Sequence, residues 1–404
     1  MSTEQPTAAD SVPAAAPAPV DPAPANPTTE TPSAPVAAPA TDTPATTTAN
    51  EEASKENKLP KTQRSWRITG KGEPAKVLKL ASDTPVPAKL KKGEVLVKVQ
   101  AAALNPVGYK TMGLVPGLIL RRVQAAEYDL TGVVVDGNNT VLKEGDQVFG
   151  WIPVPVSLST GQGALQQYAR VPAIGLALRP PNVTPTQAAG FGIAGLTAYQ
   201  ALEGVAHIKE GQSVFVNGGS TAVGAFAIQL AKARGAKRVG ASASAKNEEF
   251  VRRQGADEFF DYTKSPLHEQ LAAANPTPKY DVFLEAVGLL DPTLFLKSEA
   301  YLDPHGVFIS VGPQGSGIGN YAHFVWTVLL KPGFLGGVRR KWKLVSVKPV
   351  EKDLKEFAKL VEEGKIKPLV DSVYEFEDVL EAYEKVMSKR ATGKIVVKVD
   401  PAAE

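Results

Sequence analysis

Val214-Phe215-Val216-Asn217-Gly218-Gly219-Ser220-Thr221-Ala222-Val223-Gly224 reads as a buried strand that runs into a glycine turn and opens a helix. A turn of this kind presents free N–H groups and the positive end of a helix dipole to a pyrophosphate. Gly219 is expected to allow the tight turn, and Gly224 to let the helix approach the strand. Ser220, Ala222 and Val223 supply the backbone between them. In the G-x-G-x-x-G pattern Thr221 takes the middle position, where a side chain is expected to push the pyrophosphate slightly outward or reorient it. No Gly-Lys-Ser/Thr follows, which excludes a P-loop. The next strand ends in Ala241-Ser242-Ala243-Ser244-Ala245-Lys246. An NAD site wants an acid there for the ribose 2′-hydroxyl. Hydroxyls and one cation, Ser244 and Lys246, suit a 2′-phosphate instead, so NADPH is the expected cofactor.

Working outward, strands and helices alternate around this turn. Strands are expected at 213–217, 237–243, 280–286 and 306–311, with helices at 222–234 and 247–254, the latter closed by Gly255. Such alternation implies a parallel, doubly wound sheet. Thr184 and Pro185 read as the N-cap and first residue of a helix that leads into it. Upstream, short strands at 77–80, 94–101, 130–135 and 147–151, with a turn at Asn105-Pro106-Val107-Gly108, suggest a β-rich domain. Downstream, helices are expected at 351–362, closed by Gly364, and at 376–388, followed by a strand at 394–399.

The first fifty residues are of another kind. They hold 11 of the 33 prolines and no aromatic residue, and the first aromatic is Trp66. Such a segment buries too little apolar surface to offset its ordering entropy, so a disordered tail is expected. It lacks a basic leader, an apolar core and arginine, unlike secretory or mitochondrial signals. The tail is net acidic while the whole chain is +3, so the remainder carries the positive excess. That excess mildly favours anionic ligands and does not imply nucleic acid. Two basic clusters, Arg121-Arg122 and Arg339-Arg340-Lys341-Trp342-Lys343, read as solvated surface. The chain has no cysteine, and its four histidines show no ligand spacing, so no metal site is expected. No apolar run is long enough to span a bilayer, and a cytoplasmic protein is expected.

From about residue 64 to 400 the chain resembles the medium-chain dehydrogenase/reductase superfamily. The resemblance is to its zinc-independent quinone and enoyl reductase branch, fungal trans-acting enoyl reductases included. The carrying residues are Ala103-Leu104-Asn105-Pro106, Glu144-Gly145-Asp146-Gln147-Val148, Ala194-Gly195-Leu196-Thr197-Ala198, the glycine turn, Gly255-Ala256-Asp257-Glu258, Asp261-Tyr262 and Ala391-Thr392-Gly393-Lys394-Ile395-Val396-Val397. The resemblance implies an α/β fold with a GroES-like catalytic domain over 61–187, completed by 350–402, and a Rossmann domain over 188–349, after a tail over 1–60. It implies that Tyr262 helps hold the 2′-phosphate, that Thr197 lies beside the nicotinamide, and that Asn105 lines the substrate cleft. Val287, Val311 and Lys394 complete the expected cofactor-binding set. Where the family often has Asn-Pro-x-Asp, this chain has Gly108.

The chemistry then expected is hydride transfer to an activated alkene or a quinone, a small-molecule substrate. Tyr109 and Lys110 are the candidates to meet the developing oxyanion and supply a proton, with Thr197 adding a hydroxyl. Two other readings stand beside it. One is a trans-acting enoyl reductase serving a polyketide synthase. The other is a non-catalytic NADPH-binding factor, membrane-peripheral or nucleic-acid-associated, to which Gly108 and the basic run at 339–343 point. A homodimer through the edge of the Rossmann sheet is what the resemblance implies for assembly.

Overall fold

The computed structural model describes residues 59–117, 125–315 and 317–404. The expected Pro/Ala/Thr tail, up to residue 58, and the pair Arg121-Arg122 lie outside the described residues. Residues 58–404 form one compact unit.

Two strands, β1 (Thr62–Ile68) and β2 (Leu78–Pro85), pair antiparallel at its start. The strand expected from Val77 begins one residue later, because Pro74–Val77 makes a helical turn with proline in its first position. A seven-stranded sheet follows, whose first five strands are β3 (Glu94–Ala103), β4 (Asp129–Asp136), β5 (Gln147–Trp151), β6 (Tyr168–Pro172) and β7 (Leu176–Leu178), the other two coming from the C-terminal part of the chain. Val95, Val97 and Val99 of β3 are all buried, and so is Leu96 between them, because this central strand is covered on both faces.

The Asn105–Gly108 segment departs from its expected form. Instead of a turn it starts a helix, α1 (Pro106–Leu114), with Asn105 in the N-cap position. Proline at the first helical position lacks an N–H that would have had no partner there anyway. The Asn105 side chain leaves the cap unmade and is used elsewhere.

Thr184 caps a short helix at Pro185–Ala188 with a reciprocal bond pair: the Gln187 N–H donates to Thr184 Oγ1, and the Thr184 N–H donates to Gln187 Oε1 at 3.0 Å. The chain then runs through α2 (Gly192–Tyr199) into the second sheet. That sheet comprises β8 (Ser213–Asn217), β9 (Arg238–Ala243), β10 (Glu258–Asp261), β11 (Tyr280–Glu285), β12 (Leu302–Ser310) and β13 (Lys341–Leu344). All neighbours are parallel, in the order β10-β9-β8-β11-β12-β13. This is the doubly wound Rossmann order, with its switch point between β8 and β11. The helix α3 (Ala222–Ala233) leaves the glycine turn after β8 and buries Ala225, Phe226, Ile228 and Leu230. The basic run at 339–343, expected as solvated surface, contributes β13, whose Lys341 and Lys343 are exposed.

The C-terminal part supplies α4 (Glu351–Glu362), ended by Gly364 at φ 70°, then β14 (Val370–Tyr374), α5 (Val379–Met387) and β15 (Lys394–Lys398). β15 pairs antiparallel with β3, so the end of the chain returns to the first sheet.

Aromatic side chains join the two sheets. Phe149 of β5, Phe191, Phe226 of α3 and Phe357 of α4 meet edge to face, with centroids 5.6–5.8 Å apart. Each such pair contributes about 0.5–1.5 kcal/mol beyond its buried area. Gly195 makes room for this cluster, since a Cβ there would stand 2.6 Å from Phe357 Cζ. Phe215, Phe283, Phe308 and Trp342 share one register row across β8, β11, β12 and β13.

Candidate active site

The glycine turn lies at the C-terminal end of β8, beside the switch point. Its left-handed residue is Gly218, at φ 86°, rather than Gly219. Gly219 is required for packing: a Cβ there would press on Ala241, Ile228 and Val251 at 3.0–3.2 Å. Gly224 lies against the turn itself, since its Cβ would stand 2.9 Å from the Gly218 carbonyl carbon and 3.1 Å from Gly219 Cα.

Thr221 turns its side chain onto the turn. It is the N-cap of α3. Its hydroxyl donates to the Gly218 carbonyl at 2.9 Å and accepts from the Gly224 N–H at 3.0 Å. The hydroxyl thus does part of the work that a glycine-only turn leaves to the backbone. Among the described residues the N–H groups of Ala222 and Val223 have no protein acceptor, so the turn can receive an anion.

Beneath the turn lies a polar cluster that sequence reasoning missed. Ser242 Oγ donates to Asn217 Oδ1 at 2.7 Å, and the Gly219 N–H donates to the Ser242 carbonyl at 2.8 Å. Glu285, at the end of β11, is buried and accepts from the N–H groups of Val287, Gly288 and Leu289 and from Ser310 Oγ, at 2.8–3.1 Å. Burial pushes its carboxyl above the usual range, against the pull of those donors. Its signal in the sequence was an acid ending an otherwise apolar strand, Val282 to Glu285.

Val287 leans over the turn: a Cβ on Gly218 would lie 2.6 Å from its Cγ2. Val311 follows β12, and its N–H donates to the Glu285 carbonyl at 3.1 Å. Ser244 and Tyr262 are the residues immediately after the paired Ala243 and Asp261, so they end adjacent strands side by side. Tyr262 is 54% exposed, and Lys246 is exposed next to Ser244. These three form an open polar group at the C-terminal ends of β9 and β10.

On the other side, α1 brings Tyr109 and Lys110 forward, both partly buried. Lys110 Nζ donates to Gln314 Oε1, in the loop after β12. Gln314 is held by its own N–H, which donates to the Gly288 carbonyl at 2.8 Å. A contact from α1 therefore reaches the Rossmann sheet beside its switch point. Burial, and then the nearby Lys389 charge, lower the Lys110 pKa, and burial raises that of Tyr109.

Asn105 stands at the centre of a buried network. Its Nδ2 donates to Asp129 Oδ2 at 3.0 Å, and Lys394 Nζ donates to Asn105 Oδ1 at 2.7 Å and to Asp129 Oδ2 at 3.0 Å. Asp129 Oδ1 also accepts from the Ile193 N–H at 2.8 Å, which ties α2 and its buried Thr197 to β4. Lys394, expected beside the cofactor, is 3% exposed and faces Asn105 rather than the glycine turn. Glu127, also missed, accepts from the Asn105 N–H at 3.2 Å and from the Tyr383 hydroxyl at 2.7 Å. The run Glu127-Tyr128-Asp129, two acids at the entry of an apolar strand, was its signal in the sequence.

Residues 254–397 match the family model described as zinc-binding dehydrogenase. The donor set for such a zinc is not present: the chain has no cysteine, and no group of three or more His, Asp or Glu among the described residues is placed to hold a metal. A protein named trans-enoyl reductase from Aspergillus terreus is 32% identical over 368 residues, covering 86% of this chain and 99% of its own length. The NADPH-dependent alkenal/one oxidoreductase of Arabidopsis thaliana is 33% identical, covering 84% of this chain and 80% of its own. Among solved structures, a quinone oxidoreductase from Coxiella burnetii superposes with a TM-score of 0.69 at 27% identity, covering 84% of this chain and all of its own. With its Rossmann order, its glycine turn and relatives that match over nearly their whole length, the chain belongs to the medium-chain dehydrogenase/reductase superfamily, within its enoyl and quinone reductase branch, and is an oxidoreductase.

Proposed function

We propose that this protein uses NADPH to reduce the carbon–carbon double bond of an α,β-unsaturated carbonyl compound, or a quinone. The observation that carries this reading is the Lys110–Gln314 contact, which sets a cation from α1 beside the switch point where Val287, Gly288 and the glycine turn meet. The nucleotide takes the 188–349 part of the chain, and the substrate takes the cleft it forms with 61–187 and 350–402. Ser244, Lys246 and Tyr262 hold the 2′-phosphate, and the first turn of α3 holds the pyrophosphate.

NADPH, when bound, supplies the hydride. The chain supplies the rest. Lys110 and Tyr109 meet the negative charge that develops on the substrate oxygen. One of them, or water, returns a proton to the α-carbon or to the oxygen. Asn105 holds the wall behind them through Asp129 and Lys394.

The test is calorimetric titration with NADPH and NADH in parallel, followed by turnover of enones and quinones. NADPH is expected to bind at least about tenfold more tightly, a gap of about 1.4 kcal/mol. Equal affinities would remove the phosphate site from this reading, and no binding of either nucleotide would end it. The relatives named trans-enoyl reductases favour a second reading, an enoyl substrate carried on a partner synthase. Turnover of the carrier-bound thioester but not of the free one would select it.

For assembly we infer a homodimer. β13 ends the Rossmann sheet with no further strand beyond it among the described residues, and Leu329, Leu330 and Phe334 nearby are exposed. No helix among the described residues is long and apolar enough to cross a membrane; a cytoplasmic place for the enzyme is part of the proposal.

A further inference from the structure

Two residues behind the cleft are each of the wrong kind for their own backbone. Gly108 lies in the first turn of α1, where glycine is a poorer helix former than alanine, by up to about 1 kcal/mol, and its backbone is ordinary helix that any residue adopts. Glu127 sits in the left-handed region, at φ 63°, which costs a non-glycine residue about 1–2 kcal/mol. Each anomaly accounts for the other. A Cβ built on Gly108 would lie 2.6 Å from Glu127 Cδ and 3.0 Å from Oε2. Real Cβ atoms do not come so close, so the Glu127 carboxyl occupies the space that a side chain at 108 would need.

Placed there, the carboxyl is 2% exposed and joins two elements. It accepts from the N–H of Asn105, which leads into α1, and from the hydroxyl of Tyr383 on α5. The other charged or titratable groups around it are Lys394 of β15 and Asp129 of β4, with Tyr128 next to it in the chain. Four residues further along α1 than Asn105 come Tyr109 and then Lys110. The direction in which α1 leaves Asn105 therefore decides where these two side chains arrive.

We propose that Glu127 is a positioning residue of the cleft, and that Gly108 and Glu127 act as one unit: the Glu127 carboxyl fills through space the volume that a side chain at 108 would take, and it sets the placement of Tyr109 and Lys110. This rests on the reductase reading of the cleft, and it commits Glu127 to no contact with substrate.

The experiment is a reciprocal exchange in the full-length protein: Gly108→Asp, Glu127→Gly, and the double variant G108D/E127G, each followed by circular dichroism, thermal melting, NADPH titration and steady-state kinetics. Glu127→Gly is expected to fold, because it relieves the left-handed residue, and to lose about tenfold in kcat with KM and NADPH affinity changed less than about threefold. Gly108→Asp is expected to melt well below the wild type. The double variant is expected to recover kcat to within about threefold of the wild type, with a melting temperature above that predicted by adding the single effects. A folded double variant no more active than Glu127→Gly overturns the proposal, and so does full kcat in Glu127→Gly alone. If Gly108→Asp does not fold, the comparison of Glu127→Gly with the double variant decides. If the wild type turns over no enone or quinone, the reductase reading fails, and the positioning role fails with it. Recovery of the melting temperature would then report only the steric pairing of the two residues.

Discussion

Lys110 joins the two halves of the cleft at the level of a single residue, and its half-buried ammonium loses its proton more readily than a free lysine. Lys110→Ala is expected to lower kcat/KM by about 10–100-fold while NADPH binding, measured by calorimetry, stays within a factor of two or so. Unchanged turnover would remove Lys110 from the chemistry. Glu127 offers a second measurement at this scale. Burial, opposed by Tyr383 and Lys394, pushes its carboxyl up to about 8 from an ordinary 4.5. The native state then holds a proton that the unfolded chain releases, so this group's contribution to stability falls as pH rises from about 4.5 to about 8 and is level beyond. In Glu127→Gln that slope is absent. Melting curves between pH 5 and 8 should show the wild type falling several degrees further than the variant, and parallel curves would refute the shift. Lys110 was legible in the sequence as a candidate, but the pairing of Gly108 with Glu127 was not, because the two are nineteen positions apart (127 − 108) and only the fold brings them together.

Among the elements, those with local signals were legible. The glycine turn with its strand and helix, the Thr184 cap and the α4 helix ended by Gly364 fall within a residue or two of their expected places, since each is specified by neighbours in the chain. β13 was not legible. Lys341-Trp342-Lys343-Leu344 has too little apolar character to read as a strand, and it is one because β12 offers it an edge and Phe308 lies in register with Trp342. The α1 start was misread for a related reason: Asn-Pro-x-Gly is turn chemistry by composition, and only packing against Glu127 shows that the glycine serves space rather than bending. The Gly224 contact gives the test for this scale. Gly224→Val would drive side-chain atoms into Gly218 and Gly219, so NADPH affinity should fall by at least about a hundredfold, some 2.8 kcal/mol, with the far-ultraviolet dichroism retained. Wild-type affinity in that variant would mean that the turn does not hold the pyrophosphate.

For the molecule as a whole, the core matters more than the two-sheet outline suggests. One continuous cluster of buried residues runs from Phe149 and Trp151 of the first sheet through Phe191 and Phe226 of α3 to Val214 and Ile309 of the second sheet. Sheets that share a core in this way should lose it together. Calorimetry is expected to show one cooperative transition for residues 58–404. Phe191→Ala, which removes the ring at the centre of the cluster, should lower stability by about 3–5 kcal/mol and broaden or split that transition. Two separated transitions in the wild type would contradict a shared core. This was also beyond the sequence, which placed domain boundaries at changes in periodicity and had no means to see that Phe149 and Phe226 touch the same ring.

The crowding of Glu127 against Gly108 also constrains the history of the pair. A chain with a side chain at 108 and a long one at 127 has no room for both, whereas a chain with neither lacks only an acid. Any route by single substitutions between a chain with its acid at 108 and this protein is therefore easiest through the emptier intermediate, with the side chain at 108 removed before the one at 127 is added. The return journey would have to clear 127 first.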